Sequence, residues 1–121
     1  MSAPNLILTN NIYGNTAFLA TSSLTPQTVL SNGAASGSAY KLNTVMVANP
    51  NAVKVPITVD VLRNGTGNYL AANVTVPGFS SLVVQAKDTA IYLVEGDTLR
   101  ANVTSANNGP VNVIVSYEVI S

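Results

Sequence analysis

Three acidic residues come closest, by type and spacing, to a reactive site. Asp88, Glu95 and Asp97 lie within one stretch of ten residues, around two predicted turns. Two carboxyl groups a few ångströms apart can act on a glycosidic bond, and three can hold Ca²⁺ together with backbone carbonyls. Because their spacing lacks the regularity of an EF-hand loop, we expect solvated acids in turns, with a calcium site at these three residues as the alternative.

Other kinds of chemistry lack their usual residues. The sequence contains no cysteine and no histidine, which removes disulfides, thiolate catalysis, and the commonest general base and metal ligand. Serine and threonine hydroxyls are abundant, but none lies in the Gly-x-Ser-x-Gly pattern of a nucleophile elbow. The glycines form no phosphate-binding or dinucleotide-binding pattern. The sequence therefore predicts a protein that is not an enzyme, with no catalytic residue and no cofactor.

Charged residues are unusually sparse. Five basic and five acidic side chains make up 8% of the chain, against about 25% in an average soluble protein. The basic residues stand singly, without the clustering by which nucleic-acid-binding proteins release counterions. No apolar run approaches the roughly 20 residues of a membrane-spanning helix, and residues 1–10 lack the features of a secretion signal. We expect no nucleic-acid partner, no membrane insertion and no export.

The low charge also bears on the surface of the protein. A folded 12.5 kDa monomer exposes on the order of 6,000 Å², so most of its area must be uncharged. A charge-poor, apolar-rich surface favours a subunit packed among copies of itself or against a larger body; a soluble monomer covered with amides and hydroxyls is the alternative. We expect the charged side chains to lie on the solvent-facing rim and in turns.

Alternation with a period of two dominates the second half of the chain. Apolar residues occupy every other position of 55–61 and of 111–119, as in half-buried strands. Pro56 has no N–H to donate, so its strand begins there or lies at an edge. Asn64-Gly65-Thr66-Gly67 is a strong hairpin signal. The full set of predicted strands is 40–49, 55–63, 68–76, 80–86, 90–94, 98–104 and 111–120, with short candidates at 6–9, 17–21 and 28–30.

This pattern predicts an all-β, single-domain antiparallel β-sandwich. Periodicity does not separate an immunoglobulin-like topology from a jelly roll. The predicted sandwich covers residues 16–121, and residues 1–15 form an N-terminal arm, for which a disordered tail is the alternative. The tyrosines and phenylalanines fall mostly on strands and are predicted to pack in the core or across strands.

Two groups of residues are candidates for binding or assembly. The arm residues that could pack on a neighbouring subunit are Asn5, Leu6, Ile7 and Leu8. The loop amides that could contact a partner or read a sugar are Asn64, Asn68, Asn107 and Asn108.

Four phrases of the sequence resemble small virion structural proteins of tailed bacteriophages, especially those infecting cyanobacteria and other marine bacteria. They are Tyr-Lys-Leu-Asn-Thr-Val-Met-Val-Ala-Asn at 40–49, Thr-Val-Pro-Gly-Phe-Ser-Ser-Leu-Val-Val at 75–84, Ile-Tyr-Leu-Val-Glu-Gly-Asp-Thr-Leu-Arg-Ala at 91–101, and Val-Ser-Tyr-Glu-Val-Ile-Ser at 115–121. The resemblance covers residues 40–121 and supplies no catalytic residues.

The resemblance implies a component of a phage particle, located in the virion after synthesis in the host cytoplasm. A capsid decoration protein that stabilises the shell is the leading expectation, as a trimer or another symmetric homo-oligomer bound to major capsid proteins. A neck, tail, baseplate or fibre protein is the alternative, with glycan or receptor binding through exposed tyrosines and loop amides.

Overall fold

The computed structural model describes residues 11–86, 91–105 and 110–121. These residues form nine strands and no helix, so the described part of the chain holds no helix that could cross a membrane. The strands are β1 (Ile12–Thr21), β2 (Gln27–Ser31), β3 (Ala39–Asn49), β4 (Val55–Arg63), β5 (Thr66–Val76), β6 (Ser80–Gln85), β7 (Ile91–Leu93), β8 (Thr98–Val103) and β9 (Val111–Ile120).

The strands form two antiparallel sheets. Sheet A has the order β1-β9-β3-β6, with β7 also paired with β3, and sheet B has the order β2-β8-β4-β5. β6 pairs with residues 45–49 of β3 and β7 with residues 40–42, so the two short strands share one edge of sheet A. The prediction of an all-β antiparallel sandwich is confirmed.

The strand order is that of a jelly roll. β1 pairs with β9, β2 with β8, β3 with β6 and β7, and β4 with β5. Strands from the two halves of the chain therefore pair as in one long hairpin folded over to make two sheets. In an immunoglobulin-like sandwich the first two strands are neighbours in one sheet, whereas here β1 and β2 lie in different sheets.

Valine supplies most of the core between the sheets. The alternating apolar residues of β4 and β9 are all buried, as their period predicts: Val55, Ile57, Val59, Val61, Val111, Val113, Val115, Tyr117 and Val119. β-branched side chains suit this arrangement because they pack well on a pleated surface and lose little rotamer freedom there. The sequence contains no residue more bulky than tyrosine, and sheet-on-sheet packing needs none.

The β4–β5 hairpin shows how local sequence sets the register. Asn64 and Gly65 have φ values of 53° and 78°, and Arg63 pairs with Thr66 across them. Two consecutive positive φ angles define the primed turn that matches the twist of a tight hairpin. Pro56 is the second residue of β4, which lies inside sheet B between β5 and β8. Of the two positions predicted for this proline, the start of a strand is therefore the correct one.

The boundary predicted between arm and sandwich is wrong at residues 12–15. These residues belong to β1 and pair in register with β9, from Ile12 opposite Ile120 to Asn15 opposite Tyr117. The segment is exposed on both faces, so it carries no alternating apolar signal. Backbone pairing with β9 holds it in the sheet. Residues 1–10, including the candidate strand 6–9, lie outside the described residues.

Three acidic side chains are buried, contrary to the expectation that charged residues lie on the rim and in turns. Asp60, Glu95 and Asp97 are 5%, 4% and 1% exposed. Each has a donor that compensates for lost hydration. For Asp60 it is Arg100, whose Nε and Nη2 donate to the carboxylate over 3.0 and 2.6 Å. Gly67 lies beside this pair. A Cβ at this position would lie 2.6 Å from Asp60 Oδ2, so a residue without a side chain fits there.

Tyr117 and Tyr40 form an aromatic pair in the core of sheet A. Their ring centroids are 5.3 Å apart. Burial raises the pKa of the Tyr117 hydroxyl above its ordinary value of 10.0, and the nearby Tyr40 and Tyr13 add to the shift. The neutral phenol is therefore favoured in the folded protein.

Alkaline pH should destabilise the protein partly through Tyr117. Above about pH 10 the unfolded chain releases this proton while the folded chain keeps it, so stability falls as pH rises through the folded pKa. We expect the urea midpoint to fall between pH 9 and about pH 11, and to fall less in Tyr117→Phe. Tyr69→Phe, at an exposed tyrosine, is the control. Equal alkaline loss in wild type and Tyr117→Phe would contradict this role.

Candidate functional site

The acids of the predicted calcium site have structural roles where the structure describes them. Asp97 and Glu95 are buried, whereas Asp88 lies outside the described residues. Glu95 Oε2 accepts a hydrogen bond from the Gly37 backbone N–H at 3.2 Å. No three His, Cys, Asp or Glu side chains come together as a metal site in residues 11–86, 91–105 and 110–121. The expectation of solvated acids is wrong for Glu95 and Asp97, because both side chains are buried. Both Asp97 oxygens accept hydrogen bonds from the protein, whereas Glu95 Oε1 is buried without a partner among the described residues.

Asp97 is the most completely engaged of these carboxylates. Arg63 Nε lies 3.0 and 3.1 Å from its two oxygens, and Arg63 Nη2 lies 2.6 Å from Oδ2. The Val94 backbone N–H donates to the same Oδ2 at 2.9 Å. The hydrogen bond to Asp97, followed by its charge, raises the pKa of Arg63 above its ordinary value. The Arg63 side chain is 49% exposed and the Asp97 side chain 2%. The arginine therefore extends from the buried carboxylate to the protein surface.

Backbone and amide hydrogen bonds fasten the surrounding loops to this pair. The Asn32 N–H donates to the Asp97 carbonyl, and the Gly96 N–H donates to the Asn32 carbonyl, both at 2.9 Å. Asn32 Nδ2 donates to the Ser38 and Leu93 carbonyls, also at 2.9 Å. The loop after β2 and the turn after β7 are therefore held together at one end of the sandwich, and we call this set of contacts the Asp97 network.

The structure describes two of the four loop amides predicted to bind a partner or a sugar. Asn64 and Asn68 are exposed in the β4–β5 hairpin, where Asn68 Nδ2 donates to the Val61 and Thr66 carbonyls at 3.3 and 3.2 Å. Asn107 and Asn108 lie outside the described residues. So do the arm residues Asn5, Leu6, Ile7 and Leu8.

Most aromatic side chains are exposed, so packing in the core, one of the two arrangements predicted for them beside cross-strand packing, holds only for a minority. Tyr40 and Tyr117 do pack inside, but the other five of the seven are 40% to 76% exposed: Tyr13, Phe18, Tyr69, Phe79 and Tyr92. Position on a strand does not decide which face a residue occupies. In β1 the neighbouring Ala17 and Leu19 are the ones that pack against the core, so Phe18 points the other way.

One cleft lies at the edge where β5 and β7 come together. Its volume is about 310 Å³, and Val61, Leu70 and Ile91 supply its apolar lining. Its remaining walls are polar or aromatic: Arg63, Asn68, Tyr69 and Tyr92. We call it the edge cleft. It is built on both sheets, because β5 belongs to sheet B and β7 to sheet A.

The outer face of sheet A carries a row of apolar side chains that crosses four strands. Phe18 pairs with Ile114, Ile114 with Met46, and Met46 with Val83. Directly opposed residues share a face, and the sequence neighbours of Ile114 and Met46 are buried in the core, so this row points outward. Phe18 and Val83 are 71% and 56% exposed. We call it the apolar row.

The rows beside the apolar row are uncharged. Ala20, Asn112, Ala48 and Ser81 lie on one side, and Thr16, Ser116 and Thr44 on the other. Among the described residues, the nearest charges on this face are Lys41 and Glu118, which pair with each other at 3.9 Å. A face with this composition resembles the centre of a protein interface, where charged residues are depleted.

Alternation in the sequence could have revealed this face. In β3 and β9, apolar residues occupy the outward positions Met46 and Ile114 as well as the inward ones. A strand that is apolar on both faces is buried on both sides in many proteins. The sequence shows these apolar outward positions strand by strand, but only the strand pairing shows that they form one continuous row.

Ser38 and Lys41 have the Ser-x-x-Lys spacing used by some serine hydrolases, but their contacts are different. The Ser38 hydroxyl donates to the Ser36 carbonyl at 3.5 Å, while Lys41 Nζ is directed to Glu118 on the outer face of sheet A. The described contacts do not assemble a nucleophile with its base.

No protein-family model matches the sequence, and no curated protein matches it.

Removing the Asp97 carboxylate should destabilise the fold. Asp97→Ala loses the hydrogen bonds from Arg63 and Val94, and we expect a loss of about 2 to 3 kcal/mol of unfolding free energy. Glu118→Ala is the control. It breaks the partly exposed ion pair with Lys41 and the hydrogen bond from Asn43 Nδ2, and it should cost no more than about 1 kcal/mol. Urea denaturation measures both. Losses of similar size would show that Asp97 contributes no more than a surface charge.

Proposed function

We propose that the protein is a non-enzymatic structural protein of a phage particle that assembles through the outer face of sheet A. The observation that carries this proposal is the apolar row, Phe18, Ile114, Met46 and Val83, flanked by uncharged rows. The contacting partner is a second copy of this chain in a symmetric homo-oligomer. On the particle the oligomer decorates the capsid and binds major capsid proteins.

The size of the face supports association between copies. Strands β1 and β9 have ten residues each, β3 has eleven and β6 has six. At roughly 3.3 Å per residue and a spacing of about 4.8 Å between strands, they give a projected area of roughly 600 Å². A stable interface buries about 800 Å² of accessible surface on each partner, and accessible surface exceeds projected area because side chains make it uneven. One sheet face is therefore about the size that a dimeric contact needs.

The charges at the margin of the face support the same partner. Lys41 and Glu118 carry opposite charge next to each other, so a two-fold axis can bring the lysine of one copy to the glutamate of the other. A self-complementary patch of this kind is what an isologous contact requires. The edge strand β1 adds the exposed Ile12 and Phe18 to the same side.

Fold and charge fit a role in a particle. Double-sheet jelly rolls occur in viral capsid and lectin domains, an analogy at the level of the fold alone. A protein that binds only the assembled shell stabilises that shell by mass action. Its stabilising effect then rests on many weak contacts repeated over the particle, and a catalytic centre is not needed.

A charge placed in the apolar row should dissociate the oligomer. Val83 and Val53 are 56% and 54% exposed, so Val83→Asp and Val53→Asp are matched in residue, exposure and introduced charge. We expect Val83→Asp to weaken self-association at least about tenfold because it desolvates a carboxylate in an apolar contact. Val53→Asp, in the β3–β4 loop, should leave it unchanged. Light scattering across a concentration series measures this; a monomeric wild type, or equal effects of both variants, would contradict the proposal.

High salt should leave the assembly intact. Screening at about 1 M salt reduces electrostatic contacts to a range of about 3 Å, while apolar contacts persist or strengthen. We expect both the oligomer and its retention on purified phage particles to survive a change from low salt to about 1 M. Release of the protein by salt would mean that ion pairs hold it. Electron microscopy of the particles then gives its position, and a site on the neck or tail would replace the capsid in the proposal.

A further inference from the structure

Strand β1 forms one edge of sheet A and is paired on one side only in the described part of the chain. It stands at the end of the order β1-β9-β3-β6 and pairs there with β9. A strand in this position presents a row of N–H and C=O groups with which another strand can pair. Proteins usually protect such edges, and the four sheet edges of this sandwich differ in how well they are protected.

Three of these edges are short or irregular. β6 and β7, which share the other edge of sheet A, have six and three residues. β2 has five residues and a register shift in its pairing with β8. β5 has eleven residues, but its pairing with β4 shifts register twice, and Asn73 has a φ of 51°. Short strands and bulges are features that keep the edges of sheets from pairing.

β1 has none of these protective features. Its ten residues pair with β9 in one unbroken register, and it contains no proline and no charged residue. Its first five residues are also exposed on both faces, so the described part of the sandwich leaves them uncovered. A long, regular and uncharged edge is the kind that pairs with a strand of another chain.

The hydrogen bonds to β9 identify the residues that face the open edge. Asn11 and Ser121 exchange two backbone hydrogen bonds of 3.0 Å, and bonded pairs alternate with non-bonded pairs along an antiparallel ladder. The Thr16 N–H accordingly donates to the neighbouring Asn15 Oδ1 at 2.8 Å. We call the backbone groups that point away from β9 the β1 edge, and they belong to Ile12, Gly14, Thr16, Phe18 and Ala20.

A second copy of β1 fits the β1 edge. Two copies of one strand can pair antiparallel about a two-fold axis, and because β1 is uncharged, no like charges meet across that axis. With Thr16 on the axis, the two copies align over residues 12–20, and Phe18 of each copy lies opposite Gly14 of the other. The phenylalanine ring, 71% exposed in one copy, then covers a residue that has no side chain.

We propose that two copies of the chain pair antiparallel through the β1 edge, with Thr16 at the two-fold axis, so that their A sheets become one continuous sheet. About ten backbone hydrogen bonds form in this register, because five pairs of residues each exchange two. The contact lies in the plane of the sheet, whereas the apolar row makes its contact through the outer face, so neither depends on the other. A chain with two such contacts can close into a dimer of dimers.

Hydrogen exchange of the full chain, followed by ¹H–¹⁵N NMR, tests the pairing. The amides of Gly14, Phe18 and Ala20 should exchange slowly in the associated protein and at least about tenfold faster once dilution separates the copies. Thr75 provides the comparison. Its partner Pro56 accepts a hydrogen bond from the Thr104 N–H on the side of β8, so the Thr75 N–H faces the open edge of β5 and should exchange fast at every concentration.

Two results of this experiment would overturn the proposal. One is fast exchange of the β1 edge amides at every concentration. The other is slow exchange under conditions where light scattering gives a monomer, because the edge would then be covered within a single chain.

Proline substitutions provide a matched pair of variants. Thr16→Pro removes one donor of the β1 edge and obstructs a partner strand, but it keeps the hydrogen bonds to β9, and proline is tolerated where the N–H of an edge strand faces solvent. We expect Thr16→Pro to weaken association through β1 at least about tenfold. Thr75→Pro, also at an exposed threonine with its N–H on an open edge, should leave association unchanged. Equal effects of the two variants would contradict the pairing.

The Val83→Asp background separates the two contacts between copies. By light scattering, Val83→Asp should still form dimers joined at β1, and Val83→Asp combined with Thr16→Pro should be a monomer. A monomeric Val83→Asp with fast exchange at the β1 edge would overturn the β1 contact and leave the apolar row in place. Dimers of Val83→Asp that persist with Thr16→Pro would also count against it.

An introduced cysteine tests the register without removing a backbone donor. The sequence contains no cysteine, so a disulfide can form only at the introduced residue. Thr16→Cys on the axis brings two Cα atoms about 5.5 Å apart, within the range of a disulfide, so mild oxidation should give a covalent dimer on a non-reducing gel. Thr75→Cys should stay monomeric there. Equal dimer yields, or no dimer of folded Thr16→Cys, would overturn the pairing about Thr16.

Discussion

The buried carboxylate of Asp97 is the constraint on which one end of the molecule depends. At 1% exposure its charge needs compensation within the protein, and Arg63 at the end of β4 and the Val94 N–H after β7 provide it. These donors come from different sheets. A single side chain therefore links sheet B to the turn after β7 of sheet A, and the loop at Asn32 is bonded to the same residue.

The edge cleft follows from that constraint. Arg63 reaches Asp97 across the end of the sandwich and is one of the residues that line the opening between β5 and β7. Without the carboxylate the guanidinium would extend into solvent, as surface arginines do. The same contact thus stabilises this end of the sandwich and shapes the cleft. It also neutralises the cation that would otherwise dominate the chemistry of the cleft.

The sequence predicted those parts of the fold that depend on interactions between residues close together in the chain. The alternation of β4 and β9 and the Asn64-Gly65 turn are confirmed because burial and positive φ act within a few residues. Strand pairing, and with it the choice of a jelly roll, depends on contacts across the whole chain. The Asp97 network was missed for the same reason, since Arg63 lies 34 residues before Asp97 and nothing near either residue marks its partner.

Six of the eight charged side chains in the described part of the chain pair with one another. Arg63 pairs with Asp97, Arg100 with Asp60, and Lys41 with Glu118, so little electric field remains to steer a partner from a distance. The association that we propose then depends on shape and apolar area at close range, where affinity is set by slow dissociation more than by fast encounter. Such a surface suits a protein that meets its partner at high local concentration and stays bound. Subunits that assemble side by side on a repeating shell meet that condition.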